Sequence, residues 1–265
     1  MNTRIVHQPT PKIDAMAIAT GKPVYTDDLA PANCLIVKLL RSPHPFARIL
    51  SIDTSSAKKV PGVACVLTHE DMPRNRYTFA GQSFPETSPY DRYSLEDLVR
   101  YVGDPVAIVA GESGEAADRA LKLIRVQYQQ LEPVLDFEQA RQSSSVVHPE
   151  ADIQLPEGLR ADPSHNLVSE DTFTYGDPEK EFAACDLVLE ETYYTKPNAQ
   201  SMMETFRTFT YLDHNGRLVV VDSTQVPFHV RRIMARALGL PKNRIRVIKP
   251  RIGGGFGAKQ TLRCV

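Results

Sequence analysis

Arg244–Lys259 reads RIRVIKPRIGGGFGAK, a short β-branched run, a proline, and then four glycines in five positions, Gly253, Gly254, Gly255 and Gly257. Glycines so spaced reach positive φ and let backbone N–H groups approach a ligand without Cβ interference. Lys249, Arg251 and Lys259 add cationic field around the loop. A dinucleotide fingerprint fits formally at Gly253, Gly255 and Ala258. However, Pro250 interrupts the strand before it, and the acid due about 20 residues later would fall past Val265. A P-loop fails, because the residue five after Gly253 is Ala258 and no Ser or Thr follows Lys259. A ligand-approaching loop and a tight turn without a ligand both remain open on this pattern alone.

Immediately upstream, Val226, Val230, Ile233, Met234 and Ala237 form one apolar helical face. Ser223 or Thr224 stands before this helix, Pro227 suits its first turn, and Gly239 with Pro241 ends it. Arg232 and Arg236 share its other face. Phe206–Leu212 and Leu218–Val221 read as a strand pair around the turn Asp213–Gly216, and Leu187–Tyr194 alternates as a strand does. Gln225 falls at the strand-to-helix junction, where a neutral amide both donates and accepts hydrogen bonds, as a cap or toward a ligand. Glu204, set among Met202, Met203 and other apolar neighbours, is either a desolvated acid with a raised pKa, or a buried hydrogen-bonded acid or partner of one of the late arginines.

Over the first 140 residues, Cys34–Leu40, Ala64–Leu67, Val106–Val109 and Arg125–Tyr128 are β-rich runs, expected to form one mixed sheet. Between the last two, Ser113 caps a helix whose stripe is Ala117, Ala120, Leu121 and Ile124. Gln142–Asp171 loses periodicity and collects Ser, Pro and acids, which reads as a connection between domains.

The chain has 265 residues, 42% hydrophobic and 24% charged, which suits one large or two ordinary domains and excludes wholesale disorder. No run of about 18 apolar residues occurs. Met1–Thr10 lacks the apolar core and cleavage site of a secretory signal, so a cytoplasmic location is expected. The four cysteines, Cys34, Cys65, Cys185 and Cys264, fit no zinc ribbon, cluster run or disulfide framework, and are expected to be three core thiols and one near the terminus. The histidines show no zinc spacing, and no Ser or Cys sits in a nucleophile elbow.

Of the 31 basic and 32 acidic residues, ten basic and no acidic ones lie between Gln225 and Val265. That segment wants an anion or an acidic protein surface. Nucleic-acid binding through it would rest on charge alone, since only Phe228 and Phe256 supply aromatic rings there.

Taken together, the glycine loop with its flanks and Ser223-Thr224-Gln225 with the helix after it resemble the large, molybdopterin-binding subunit of xanthine dehydrogenase and aldehyde oxidase-type molybdenum hydroxylases. Arg41–Ile49 (RSPHPFARI), Tyr101–Gly111 (YVGDPVAIVAG) and Val126–Val134 (VQYQQLEPV) resemble that family's α/β hammerhead domain. The likeness spans roughly residues 17 to 260, and Met202–Asp213 is nearest the purine-acting bacterial branch.

It implies a mixed α+β fold: a hammerhead domain over residues 15–140, a linker over 141–170, and part of the first molybdopterin-binding domain over 171–265. Also implied is oxidation of a purine or other N-heterocycle with water-derived oxygen, electrons passing to iron–sulfur and FAD partner chains. The cofactor would be molybdopterin, in its cytosine dinucleotide form in some members. By position, Gln225, Gly255, Phe256 and Gly257 resemble cofactor-binding residues, with molybdenum near Gln225 and Phe256 but no direct metal ligand. Phe256 and Gln260 resemble substrate-binding residues.

Two positions depart from the family pattern: Gln260 stands where a glutamate is frequent, and Gln200, four before Glu204, where histidine is common. Gln260 hydrogen-bonds a ring but carries no charge, which puts purine specificity in doubt. The sequence stops nine residues after Phe256, where family members continue through a second molybdopterin domain carrying most cofactor contacts and the general base. The isolated chain is therefore expected to lack a complete active site and to need a C-terminal polypeptide if the subunit is split. The alternative is a truncated or non-catalytic scaffold that holds partner chains.

Overall fold

A computed structural model describes residues 3–79 and 83–261. Contacts divide the chain into two compact units. One comprises Met1–Ala32, Ser201–Ala235 and Leu240–Val265, the other Asn33–Gln200 with Arg236–Gly239. These bounds differ from a division at residues 141–170, because the intervening acidic segment is tied into the larger unit.

Two short helices, α1 (Ala15–Ala19) and α2 (Thr26–Leu29), come first and belong to the smaller unit. The larger unit then holds six strands: β1 (Ile36–Arg41), β2 (Ala47–Asp53), β3 (Val63–Leu67), β4 (Leu98–Val99), β5 (Pro105–Gly111) and, after helix α3 (Gly114–Leu121), β6 (Arg125–Gln130). They form two antiparallel three-stranded sheets, ordered β1-β5-β3 and β4-β2-β6. This corrects the expectation of a single mixed sheet. Both edges of β5 are taken by β1 and β3, so β6, arriving through α3, pairs instead with β2, a strand that the β-run pattern passed over.

Helix α3 forms as its sequence dictates. Ser113 Oγ accepts the Ala116 N–H at 3.2 Å, and Ala116, Ala117 and Ala120 are buried. Their small side chains let the helix lie close on a core of Val66, Ala107, Val109 and Ile124. A second cluster gathers Ala47, Ile49, Val99 and Val106.

The expected connection is largely irregular but pinned. Arg100 pairs with Glu150 and with Glu96, and its Nε donates to the Val147 carbonyl at 3.1 Å. Arg76 Nη2 reaches Asp152 at 2.5 Å, and Tyr93 donates to the other Asp152 oxygen at 2.7 Å. These bonds hold the Asp152 carboxyl well below the usual carboxylate range, the Arg76 hydrogen bond contributing most. A helix the periodicity did not suggest, α4 (Pro178–Ala183), is capped by Asp177. Leu187–Tyr194 forms no strand among the described residues. It lies exposed, with Leu187, Leu189, Tyr193 and Tyr194 all open to solvent. Alternation alone does not make a strand where no partner strand is offered.

The cysteine expectation also needs correcting. Cys65 and Cys185 are exposed and Cys34 is half-buried, so none is a core thiol. Cys65 sits beside a register shift in β3, next to buried Val66, and Cys185 follows α4 in an exposed segment. Cys264 and Arg263 lie outside the described residues.

The smaller unit carries β7 (Thr208–Leu212), β8 (Leu218–Asp222), most of helix α5 (Pro227–Leu238) and β9 (Ile245–Ile248), with α4's exposed segment ending before it. β7 and β8 are an antiparallel hairpin closed by Asp213, whose Oδ1 accepts the Asn215 and Arg217 N–H groups at 2.9 Å. β9 returns beside β8 in parallel, giving the order β7-β8-β9. Val219, Val220 and Val221 of central β8 are buried, as are Val230, Ile233 and Met234 of α5. No helix among the described residues is long and apolar enough to cross a membrane.

Candidate cofactor-binding site

Because β8 and β9 run parallel, the residues that follow each strand emerge at the same end of the sheet, the usual place for a ligand in such arrangements. β8 delivers Ser223, Thr224 and Gln225. β9 delivers the glycine loop. Two hydrogen bonds to one carbonyl lock the pieces together: the Lys259 oxygen accepts the Gln225 N–H at 2.9 Å and the Thr224 hydroxyl at 3.2 Å.

Beneath the loop lies a buried charged cluster. The Lys259 side chain, only 1% exposed, donates from Nζ to Glu204 Oε2 and to Ser223 Oγ, each at 2.7 Å. The same Glu204 oxygen accepts the Ser223 hydroxyl at 2.6 Å and the Gly253 N–H at 2.7 Å. Burial alone would raise the Glu204 pKa, but the bonds from Lys259, Ser223 and Gly253 outweigh it and hold the carboxyl below its ordinary value. The desolvated acid with a raised pKa is thus overturned and the buried hydrogen-bonded acid stands, but its ionic partner is Lys259 and not one of the late arginines. Neighbouring Asp222 is the acid that burial does push up, to about 7, with Glu204 adding to the rise and Lys259 opposing it.

Above the cluster, Gln225 Oε1 accepts the Gly257 N–H at 3.2 Å, while its Nε2 has no acceptor among the described residues. Gly255 is required by this contact: a Cβ there would stand 2.6 Å from Gln225 Oε1. Gly257 adopts φ +87°, with open space where a side chain would lie. Phe256 between them also has positive φ, 47°, a conformation uncommon for a bulky residue, and its ring is 74% exposed. Gln260 is half-buried at the loop's exit, its N–H bonded to the Gly257 carbonyl at 3.3 Å.

So Gln225, Phe256, Gly257 and Gln260 lie exposed or half-buried about the loop with Gly255 buried against Gln225, whereas Gln200 is exposed in the extended segment. The cations expected around the loop are otherwise engaged. Lys259 points inward, Arg251 pairs with Asp14, and Lys249 lines a cavity beside α5. Sequence reading missed the Lys259–Glu204–Ser223 cluster as a unit. Its available signal was a lone acid in an apolar stretch, facing a later segment with no acid of its own.

A family model for the molybdopterin cofactor-binding domain matches residues 160–264, and one for the aldehyde oxidase and xanthine dehydrogenase a/b hammerhead domain matches residues 20–132. The chain belongs to the aldehyde oxidase and xanthine dehydrogenase family. It is 40% identical over 276 residues to the "Probable hypoxanthine oxidase XdhD" of Escherichia coli (strain K12), covering 95% of this chain and 29% of that protein. To the nicotinate dehydrogenase large molybdopterin subunit of Eubacterium barkeri it is 31% identical, with 95% and 55% covered. Quinoline 2-oxidoreductase from Pseudomonas putida 86 superposes with a TM-score of 0.76 at 26% identity, over 94% of this chain and 31% of that one. The chain thus spans under a third of the first of these relatives. Its fold is the mixed α+β of this family, a hammerhead domain followed by molybdopterin-binding domain sequence.

The residues at the loop fit such a cofactor. A neutral amide with an unengaged donor and a glycine backbone in open space suit a group that presents oxygen acceptors.

Proposed function

We propose that this chain forms one wall of the active site of a molybdenum-cofactor hydroxylase that oxidises a purine or another N-heterocycle with oxygen drawn from water. The observation that carries the reading is the Gln225 amide, fixed against the glycine loop through Oε1 with Nε2 left to donate. Relatives named for hypoxanthine and for nicotinate support a nitrogen heterocycle as substrate class. When bound, molybdopterin supplies the redox centre that takes up the substrate's electrons.

The chain's own residues bind and orient. Gln225 Nε2 donates to an oxygen of the cofactor, and Gly255 and Gly257 keep side chains out of its way. Phe256, held at positive φ, presents its ring to the planar substrate. Gln260 hydrogen-bonds a ring nitrogen or carbonyl without adding charge. Completion of the site falls to a second molybdopterin domain, on this polypeptide or a separate one, and iron–sulfur and FAD chains carry electrons away in the cytoplasm. We include the cytosine dinucleotide as one form of the molybdopterin cofactor.

The test is the double variant Gln225→Ala with Phe256→Ala in the complete hydroxylase, with molybdenum content and hypoxanthine and nicotinate turnover measured together. Turnover is expected to fall about 100-fold, the scale of losing one preorganised donor at a reacting centre. Unchanged hydroxylation by a molybdenum-loaded double variant would overturn the reading in favour of a scaffold that only holds partner chains.

A further inference from the structure

A cavity of about 480 Å³ opens between α5 and β9, lined by Arg217, Phe228, Arg231, Asn243, Arg246 and Lys249 among others. That volume lies within the about 300–1,000 Å³ usual for small-ligand sites. None of Gln225, Gly255, Phe256, Gly257 or Gln260 lines it. Four of its walls are cationic and none is acidic.

The charges are not already balanced. Arg217 Nε is engaged by Asp213 Oδ2 at 2.9 Å, but Arg231, which lines the cavity, donates its Nε to the neutral Lys242 carbonyl at 3.0 Å and makes no ion pair among the described residues. Arg246 and Lys249 make no ion pair among the described residues. Three uncompensated cations around one space repel one another until an anion sits among them. A monocarboxylate would offset only one. A phosphate-bearing group carries more charge and more acceptor oxygens, which suits arginine forks and a lysine point charge together. Phe228, 74% exposed on the same wall one helical turn from Arg231, adds a face on which a planar ring can stack.

We infer that this cavity binds a nucleoside phosphate, its phosphate held by Arg231, Arg246 and Lys249 and its base laid on Phe228. The occupant assigned is a free nucleotide, distinct from the cofactor of the site described above.

Calorimetric titration of the full protein with pyrophosphate, AMP and adenosine, at fixed moderate salt, tests the site. Saturable binding of pyrophosphate and tighter binding of AMP are expected, with adenosine weak. Arg246→Gln and Lys249→Gln, which break no bond of the fold, should each weaken both anions about tenfold. Phe228→Ala should weaken AMP by about fivefold or more yet spare pyrophosphate. Lys122→Gln, an exposed cation just after α3, should change nothing. AMP binding is expected to persist in cofactor-loaded protein; binding that appears only after cofactor removal would show the cavity to be part of the cofactor site and would overturn the inference. The inference falls if neither anion saturates, if Lys122→Gln costs as much as Arg246→Gln, or if an octaglutamate peptide binds more tightly than AMP and ignores Phe228→Ala. The last result would mark the cavity as a seat for an acidic protein segment instead.

Discussion

Lys259→Met is the sharpest test of how the glycine loop is held. The methionine keeps the volume and apolar stem of the lysine and removes its charge. Two hydrogen bonds of 2.7 Å disappear, to Glu204 and to Ser223. Glu204 keeps the Ser223 hydroxyl and the Gly253 N–H but loses its counter-charge, while its side chain is only 15% exposed. Bonds to charged groups contribute about 1.5–3 kcal/mol each, and breaking one partner of a buried pair costs about 3–5 kcal/mol. About 4 kcal/mol of destabilisation is therefore expected. Adding Glu204→Gln should recover part of it, because the double variant leaves no buried unpaired charge, with a coupling of about 2 kcal/mol. Urea unfolding followed by far-ultraviolet circular dichroism reads both quantities, which suits a chain without tryptophan. A cost below about 1 kcal/mol, or additivity of the two substitutions, would refute the claim that this ion pair anchors the loop.

Two further outcomes follow from the same site. Gly255→Ala places a Cβ 2.6 Å from Gln225 Oε1, so the amide must move; turnover of the complete enzyme should drop about tenfold or more while its melting temperature shifts little, whereas full activity would show the Gln225 contact to be dispensable. Asp222 has its pKa raised from 3.8 to about 7 by burial, so between those values the folded chain binds more protons than the unfolded one. Stability from this group is therefore greatest at low pH, declines as pH rises through that window and levels off above it, and Asp222→Asn should flatten the slope measured by denaturant titration at several pH values.

Much of the fold could be read from local pattern. The cap at Ser113, the apolar β-branched run of Leu218–Val221, the DHNG turn and the apolar face of Val230, Ile233 and Met234 are short-range signals, and the elements they announce are the ones found. What local pattern cannot supply is pairing. Leu187–Tyr194 alternates but has no neighbour among the described residues, and although the apolar run of β5 marks it as central and the polar β6 as an edge, neither pattern names the strand it pairs with. Pairing is decided by which edges remain open once longer strands have met, and that depends on residues far apart in the chain.

The site divides along the same line. Gln225 and the glycines are marked by residue type and by their place after strands, so a reader of the sequence finds them. Their geometry depends on Glu204 and Lys259, 55 positions apart, and no spacing rule joins those two. The physics does. A carboxylate buried among methionines must find a cation, the segment after Gln225 holds ten cations and no acid, and the cation that reaches Glu204 is the one the loop itself folds inward. Drawing Lys259 in brings its carbonyl against Gln225 and Thr224 and seats Gly257 N–H on the Gln225 amide. The buried ion pair is thus less a source of stability than the device that sets the register between strand-end and loop, and through that register the direction in which the remaining Gln225 donor faces.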